Sequence, residues 1–159
     1  MRNGFTLHSV YRHANNERID NHIQKYRKND NAFFYKKGSE SAKSMIKALK
    51  QNEDLALLID QRDSSGLEID FFGKKALATD GFANLAIKYK TMICPVYSIR
   101  NQNGTFQIIF EKPMRYEQYK NYNIKEFVET MHKKYFEKWI THSPAPVSYT
   151  HLRAHETLA

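Results

Sequence analysis

The sequence has a single cysteine and no apolar run long enough to cross a membrane. Cys94 has no second cysteine to pair with, which excludes an internal disulfide and a cysteine-rich metal site. Because Cys94 lies in the apolar run MICPV, the sequence predicts a buried thiol there. The mean hydropathy of −0.71 fits the absence of a transmembrane helix within these residues. Met1 leads straight into a polar, strand-like segment, so no signal peptide is visible.

Acidic residues are scarce relative to basic ones. The chain carries 25 Lys and Arg against 17 Asp and Glu, a formal net charge of +8. Such a balance attracts phosphate groups, whether in nucleic acid, in anionic lipid headgroups or on a phosphopantetheine carrier protein. The net charge alone does not distinguish among these partners, and an ordinary solvated basic surface explains the excess of Lys and Arg equally well.

The C-terminal end has an unusual sequence. Residues Val147 to Thr157 read VSYTHLRAHET, which matches translated sequencing-adapter DNA in one reading frame: a transposase mosaic end followed by its primer segment. We therefore expect a partial domain over residues 1–146 and a non-native tail over residues 147–159 that takes no part in the fold. The alternative is a natural His-rich tail that binds metal.

Strand-like and helix-like segments alternate along the rest of the chain. Asn16 is positioned to cap the first helix, and one face of this helix carries Ile19, His22, Ile23 and Tyr26. The predicted strands are Phe5–Tyr11, Ala32–Tyr35, Leu55–Ile59, Met92–Arg100 and Thr105–Glu111. The predicted helices are Glu17–Lys28, a helix opened by Gly38 and Ser39, Thr79–Lys90 and Asn123–Ile140.

This order of elements predicts an α/β fold with a mostly parallel central sheet flanked by helices. Leu55–Ile59 is apolar throughout, as buried central strands are, so we expect it at the centre of the sheet. Gln61–Leu67 is polar and contains Gly66, which predicts a loop. The turn-rich link Asn101–Gly104 predicts a C-terminal hairpin, followed by the last helix.

Two charged residues stand where predicted strands end. Functional groups of open α/β sheets gather at the carboxyl ends of strands. Arg12 ends the first strand in VYRHANN, and Asp60 ends the third in LALLIDQRD. From position alone, a surface arginine is the favoured interpretation of Arg12, and a residue that caps a loop is the favoured interpretation of Asp60.

Four segments, taken in order, resemble a known family. VYRHANN, ALLIDQRDSSG, IDFFGKKALATDGFANLAIKY and ICPVYSIR are similar to the bacterial lipid A biosynthesis acyltransferases, within the wider lysophospholipid acyltransferase superfamily. Each motif is short, but the ordered set is specific and spans residues 4–144. The first segment departs from the family pattern, which has a proline where His13 and Glu17 stand here.

The resemblance implies an acyltransferase that moves a fatty acyl chain from acyl carrier protein to a hydroxyl of a lipid A precursor. It further implies the cytoplasmic face of the inner membrane as the location, with no cofactor, no metal and no nucleic-acid partner. A basic α/β domain that binds nucleic acid or anionic lipid without catalysis is the alternative. The aromatic residues fall mostly on apolar faces, which favours a core over nucleic-acid stacking.

The resemblance also implies an H-x4-D/E pair, because a substrate hydroxyl needs a histidine base and that histidine needs an orienting acid. In the family this pair and a membrane helix precede the VYR segment, so we expect both to lie upstream of this chain and the isolated chain to be inactive. The substrate-binding residues it implies are Arg12, Asp60, Gln61, Arg62, Phe71, Phe72 and Gly73. For Phe71–Gly73, simple core packing is the alternative to contact with the acyl chain.

Two internal matches to H-x4-E need weighing. His132 and Glu137 fall on the last predicted helix, where residues five apart point roughly 140° apart, so we expect the two side chains to diverge. His151 and Glu156 lie in the tail. The remaining histidines His8, His13 and His22 have no metal-ligand spacing and are expected to be structural or on the surface.

Overall fold

The computed structural model describes residues 6–11, 14–27 and 31–142. The chain divides into two compact units, Met1–Leu57 and Leu58–Ala159, called here the N-terminal and C-terminal units. Among the described residues no helix is both long enough and apolar enough to cross a membrane.

The N-terminal unit contains a three-stranded parallel sheet. Strand β1 lies between β2 and β3, and the strands are joined by helices α1 and α2. The bounds are β1 Leu7–Tyr11, α1 Glu17–Arg27, β2 Ala32–Lys36, α2 Ser39–Lys50 and β3 Asp54–Ala56. The predicted central position of Leu55–Ile59 is therefore wrong. That run contributes a short edge strand, and Leu58 beyond it is 75% exposed.

Helix α1 begins as predicted but buries a different face. The Asn16 Oδ1 accepts hydrogen bonds from the backbone N–H of Arg18 at 2.9 Å and of Ile19 at 3.4 Å, which confirms the cap. Ile19 is nevertheless 53% exposed and Tyr26 80% exposed. The buried residue of this helix is Asp20, whose carboxylate accepts hydrogen bonds from Tyr11 at the end of β1 and from the backbone of Ala14.

The C-terminal unit consists of two antiparallel hairpins and a series of helices. Its elements are β4 Arg62–Phe71, β5 Lys74–Ala78, α3 Gly81–Tyr89, β6 Val96–Arg100, β7 Phe106–Phe110, a 3₁₀ turn Tyr116–Gln118, α4 Ile124–Met131, a π-helix His132–Glu137 and α5 Lys138–His142. β4 pairs with β5, and β6 pairs with β7. The α/β class and the C-terminal hairpin are confirmed, but the sheet is only partly parallel because four of the described strands form antiparallel pairs.

Strand β4 replaces the loop predicted for Gln61–Leu67. The register with β5 shifts between Arg62 and Leu67, so this polar stretch forms an irregular, bulged strand. A Cβ on Gly66 would lie 2.7 Å from the backbone carbonyl carbon of Ala78 and closer still to its oxygen. Gly66 therefore permits a close approach of β4 and β5 that any larger residue would prevent.

The core of the C-terminal unit is built on the apolar stripe of α4 that the sequence predicts. Phe127 and Val128 are fully buried, and the ring of Tyr119 stacks on Phe127 with centroids 4.6 Å apart. Cys94, predicted to be buried, is exposed. It precedes β6 in a stretch where exposed and less exposed residues alternate, so an apolar sequence context did not guarantee burial.

Candidate functional site

The structure describes most of the site residues proposed from sequence. Arg12 lies outside the described residues, so its proximity to Asp60 stays a prediction. Asp60 is half-buried and Gln61 is exposed, immediately before β4. Arg62 is the first residue of β4, and its side chain lies outside the described part of the structure. The remaining three residues, Phe71, Phe72 and Gly73, lie together at the turn between β4 and β5.

This turn has an unusual backbone. Phe72 and Gly73 have φ angles of 50° and 73°, and positive φ at both central residues is the pattern of a type I′ hairpin turn. Glycine adopts positive φ readily, but a bulky residue such as phenylalanine rarely does. Phe71 is 3% exposed, and its ring meets that of Phe72 edge to face at 4.9 Å. The strained position of Phe72 is therefore held by its surroundings.

Two glutamates of the C-terminal helices bind the backbone of β4. The Glu129 Oε1 accepts the backbone N–H of Asp70 at 3.0 Å, and the Glu137 Oε1 accepts that of Phe72 at 2.5 Å. Phe71 and Lys74 form the hydrogen-bonded pair that closes the two-residue turn. Asp70, opposite Lys75, is the neighbouring residue of β4, so its backbone N–H points away from β5. The two carboxylates thus occupy the free edge of the hairpin and fix its turn.

The π-helix explains how His132 and Glu137 reach the same turn. In this structure i→i+5 hydrogen bonding widens each turn, so residues five apart come nearly into line. Glu137 binds the backbone of Phe72, while the His132 ring meets Phe71 edge to face at 6.1 Å. The expectation that the two side chains diverge is therefore wrong, because it assumed α-helical geometry.

His132 is completely buried and incompletely hydrogen-bonded. Its Nδ1 donates to the backbone oxygen of Val128 at 2.7 Å, and its Nε2 has no hydrogen-bond partner among the described residues. Burial lowers the pKa of His132, while the backbone groups of Val128 and Ile59 and the charge of Asp60 oppose that shift. The imidazole is thus held neutral, within electrostatic range of Asp60. A general base must reach a substrate proton, and a fully buried ring does not.

In the N-terminal unit, Asp20 binds both sides of the segment that contains Arg12. Its carboxylate accepts the Tyr11 hydroxyl at 3.2 Å and the Ala14 backbone N–H at 3.0 Å. The ammonium of Lys36 lies 3.9 Å from the same carboxylate. Asp20 is 4% exposed, so these bonds form away from bulk water and fix Tyr11 and Ala14 on either side of Arg12.

His8 forms a second buried polar group in the N-terminal unit. Its Nδ1 lies 2.8 Å from the Tyr35 hydroxyl and its Nε2 lies 2.8 Å from the Glu53 Oε2. The ring also stacks on Phe33 at 5.0 Å. Burial, and then the nearby charge of Glu53, raise the pKa of Tyr35, so the tyrosine stays a hydroxyl donor. Both ring nitrogens are occupied, which confirms the structural role expected for His8.

Several of these contacts leave no signal in the sequence. Asp20 stands on what reads as the polar face of an amphipathic helix, and Glu129 and Glu137 look like ordinary surface acids. Asp20 binds a tyrosine hydroxyl and a backbone N–H outside its own helix, and the two glutamates bind backbone N–H groups 59 and 65 residues away. No side-chain pattern reveals such partners. Within residues 6–11, 14–27 and 31–142, no cluster of three His, Cys, Asp or Glu side chains is arranged to hold a metal ion.

Comparison with known proteins extends over nearly the whole chain. The profile of a family described as bacterial lipid A biosynthesis acyltransferase matches residues 2–154. No curated protein sequence matches significantly. The matched range contains every residue proposed for the site, including Arg12 and Asp60, and also the first eight residues of the segment 147–159.

Proposed function

Because the chain belongs to the bacterial lipid A biosynthesis acyltransferase family, we propose that its parent protein transfers a fatty acyl chain from acyl carrier protein to a hydroxyl of a lipid A precursor. The family match over residues 2–154 is the observation that carries this proposal. The net charge of +8 supports it, since both the carrier's phosphopantetheine group and the glucosamine phosphates of the acceptor are anionic. The cytoplasmic face of the inner membrane is the location that these substrates require.

We assign roles to the site residues within this proposal. Arg12 binds a phosphate of the acceptor or of the carrier through its bidentate guanidinium. Asp60 orients Arg12 or the acceptor hydroxyl, with Gln61 and Arg62 beside it. The type I′ turn Phe71–Gly73 contacts the acyl chain. The fixed backbone of this turn supports that role, because a site gains rate from groups already held in place.

We further propose that the general base is not His132 and that the isolated chain does not transfer acyl groups. His132 is 0% exposed, and its Nδ1 proton is committed to Val128. Glu137, which completes the H-x4-E pattern, binds Phe72 and not the imidazole. Without a base the acceptor hydroxyl stays protonated, which costs roughly 100-fold to 10,000-fold in rate. The base is expected on a segment upstream of residue 1.

The test is an acyl-transfer assay with acyl carrier protein as donor and a lipid A precursor as acceptor. We expect turnover by a protein extended upstream to include an H-x4-D/E pair and none by the chain itself. Comparable turnover by both would place the base within these residues, and His132→Asn would then identify it. If the extended protein transfers nothing from any acyl carrier protein donor, the proposed donor is wrong.

A further inference from the structure

The hairpin of β6 and β7 has one strongly apolar face that its own unit does not cover. Val96 lies opposite Phe110, Ser98 opposite Ile108 and Arg100 opposite Phe106, and paired residues of this kind project from the same face. We call this the outer face of the hairpin. Its large apolar side chains are Val96, 42% exposed, Phe106, 67%, Ile108, 63%, and Phe110, 71%.

The other face of the same hairpin is anchored. The ring of Tyr97 stacks on Trp139 of α5 with centroids 4.6 Å apart, and Ile99 and Ile109 are half-buried. Trp139 is fixed in turn, because its Nε1 donates to the Glu111 Oε1 at 3.1 Å. The face that carries Tyr97, Ile99 and Ile109, called the inner face, therefore attaches the hairpin to α5. The large apolar residues of the outer face are exposed, and a cluster of such exposed residues indicates a binding surface.

The exposed charged residues of the segment 95–112 are all basic. Residues 95–110 contain no Asp or Glu. Arg100 and Lys112 are exposed, and among the described residues neither forms an ion pair with a carboxylate. The nearest acid in sequence, Glu111, is occupied by Trp139 and by the Lys138 ammonium at 3.8 Å. The Arg100 guanidinium instead lies over the ring of Phe106, 5.9 Å from its centroid.

An apolar surface bordered by such cations matches the interface of an anionic lipid bilayer. Phenylalanine and isoleucine side chains enter the boundary between headgroups and acyl chains, while arginine and lysine reach the lipid phosphates. Each cation close to such a surface strengthens binding about fivefold, and an acid would oppose it. A second copy of the chain matches less well, since it would bring the same cationic border against itself.

We propose that the outer face of the β6–β7 hairpin docks on the surface of an anionic lipid bilayer. This rests on the proposed function and deepens it by naming the surface that faces the membrane where the acceptor lipid resides. It does not depend on the catalytic base, so it is testable with the chain as it stands.

The experiment is co-sedimentation of the chain with two kinds of vesicle, one of phosphatidylcholine alone and one with equal parts of phosphatidylglycerol. We expect binding to the anionic vesicles that weakens with salt. The apolar variant Phe106→Thr/Ile108→Thr/Phe110→Thr should bind at least about tenfold more weakly, since it removes most of the inserting area but keeps residues suited to strands. The matched control Ile19→Gln/Tyr26→Gln removes exposed apolar residues from α1 and should bind as the parent does.

A second pair of variants separates local charge from net charge. Arg100→Gln/Lys112→Gln should weaken binding to anionic vesicles by roughly 25-fold, at about fivefold for each of the two cations. Lys47→Gln/Lys50→Gln makes the same change in net charge on the exposed surface of α2 and should have a much smaller effect. The fluorescence of Trp139, which packs on the inner face, reports whether each variant keeps its fold.

Three outcomes would overturn the proposal. The first is equal vesicle binding by the apolar variant and the unmodified chain. The second is an equal loss of binding to anionic vesicles in both charge variants. The third is an unmodified chain that does not bind vesicles but dimerises in analytical ultracentrifugation, with no dimer formed by the apolar variant. In that case the outer face binds a second copy of the chain. None of these outcomes affects acyl transfer by the extended protein, so the docking surface and the enzymatic function fail separately.

Discussion

The backbone N–H of Phe72 donates a 2.5 Å hydrogen bond to the Oε1 of Glu137, across 65 residues of sequence. This bond joins a strained hairpin turn to the π-helix and makes the turn a fixed part of the C-terminal unit. Glu137→Ala removes this acceptor from the N–H of Phe72, and we expect a loss of about 1–3 kcal/mol in the free energy of unfolding. Glu137→Gln keeps an acceptor oxygen and should lose less.

Urea denaturation of the two variants measures this difference. Glu40→Ala is the control, because Glu40 pairs with Lys43 on the surface, where its side chain is 83% exposed, and should change stability by no more than about 0.5 kcal/mol. If Glu137→Ala unfolds at the same urea concentration as the parent, Glu137 does not hold the turn.

The two glycines of the β4–β5 hairpin should respond differently to a methyl group. Gly73 has a φ of 73° and open space where a Cβ would lie. Gly73→Ala should therefore lower the free energy of unfolding only by the cost of placing a side chain at positive φ, about 1 kcal/mol. Gly66→Ala would force a Cβ against the backbone carbonyl group of Ala78, and we expect a larger loss of thermal stability. A milder effect for Gly66→Ala than for Gly73→Ala would mean that β4 and β5 are not so close.

Burial of His132 predicts a pH dependence of stability. Because the folded protein lowers the pKa of His132, the unfolded chain binds the proton more readily. The stabilising effect of the neutral ring is complete above the ordinary histidine pKa of about 6.5 and is lost as pH falls toward the lower folded-state value. Differential scanning fluorimetry from neutral to acidic pH should show a steeper fall in melting temperature for the unmodified chain than for His132→Phe.

His132→Asn serves as the second comparison in that series. Asparagine retains a hydrogen-bond donor for the backbone oxygen of Val128 but does not titrate. The melting temperature of this variant should therefore also fall less steeply at acidic pH. Parallel curves for all three proteins would show that His132 does not contribute to acid sensitivity.

Asp60 should matter for catalysis and much less for folding. In a catalytically competent protein extended upstream, Asp60→Asn should lower acyl transfer on the order of tenfold or more, because an orienting charge near the acceptor is lost. Asp63→Asn is the neighbouring control; its carboxylate binds Ser65 within the same strand. Equal activity of the two variants would remove Asp60 from the site.

Removal of residues 147–159 tests the origin of the C-terminal segment. If adapter DNA encodes it, nothing selected it to pack on this domain, and we expect the melting temperature to be unchanged. The deletion also removes residues 147–154, which the family match includes. A clear drop in melting temperature would therefore assign this segment to the natural fold.

The elements predicted correctly from sequence are those whose signals are local. Asn16 caps α1 as expected, and the NQNG link correctly indicates the β6–β7 hairpin. β4 was missed because its polar residues resemble a loop, and its pairing depends on the close approach at Gly66. The continuous apolar run Leu55–Ile59 suggested a central strand, but strand order depends on which elements pair, and that information is not local.

The candidate site was predictable in part for the same reason. Motif resemblance proposed Phe71–Gly73 and Asp60, which lie within short contiguous motifs, and their roles stay predictions. It did not identify Glu137 or His132, because their relation to the turn depends on a π-helix. An i, i+5 pair looks divergent on an α-helical projection, and the sequence HKKYFE carries no recognised signal for the wider helix.

The two glutamates along β4 also bear on how the protein behaves at high concentration. An unoccupied strand edge is a template on which another molecule can add its own strand, and this is a common first step toward fibrils. Glu129 and Glu137 occupy the donors of Asp70 and Phe72 that such a strand would need. The same carboxylates that fix the turn thus act as gatekeepers, and a chain lacking both would be prone to polymerise through β4.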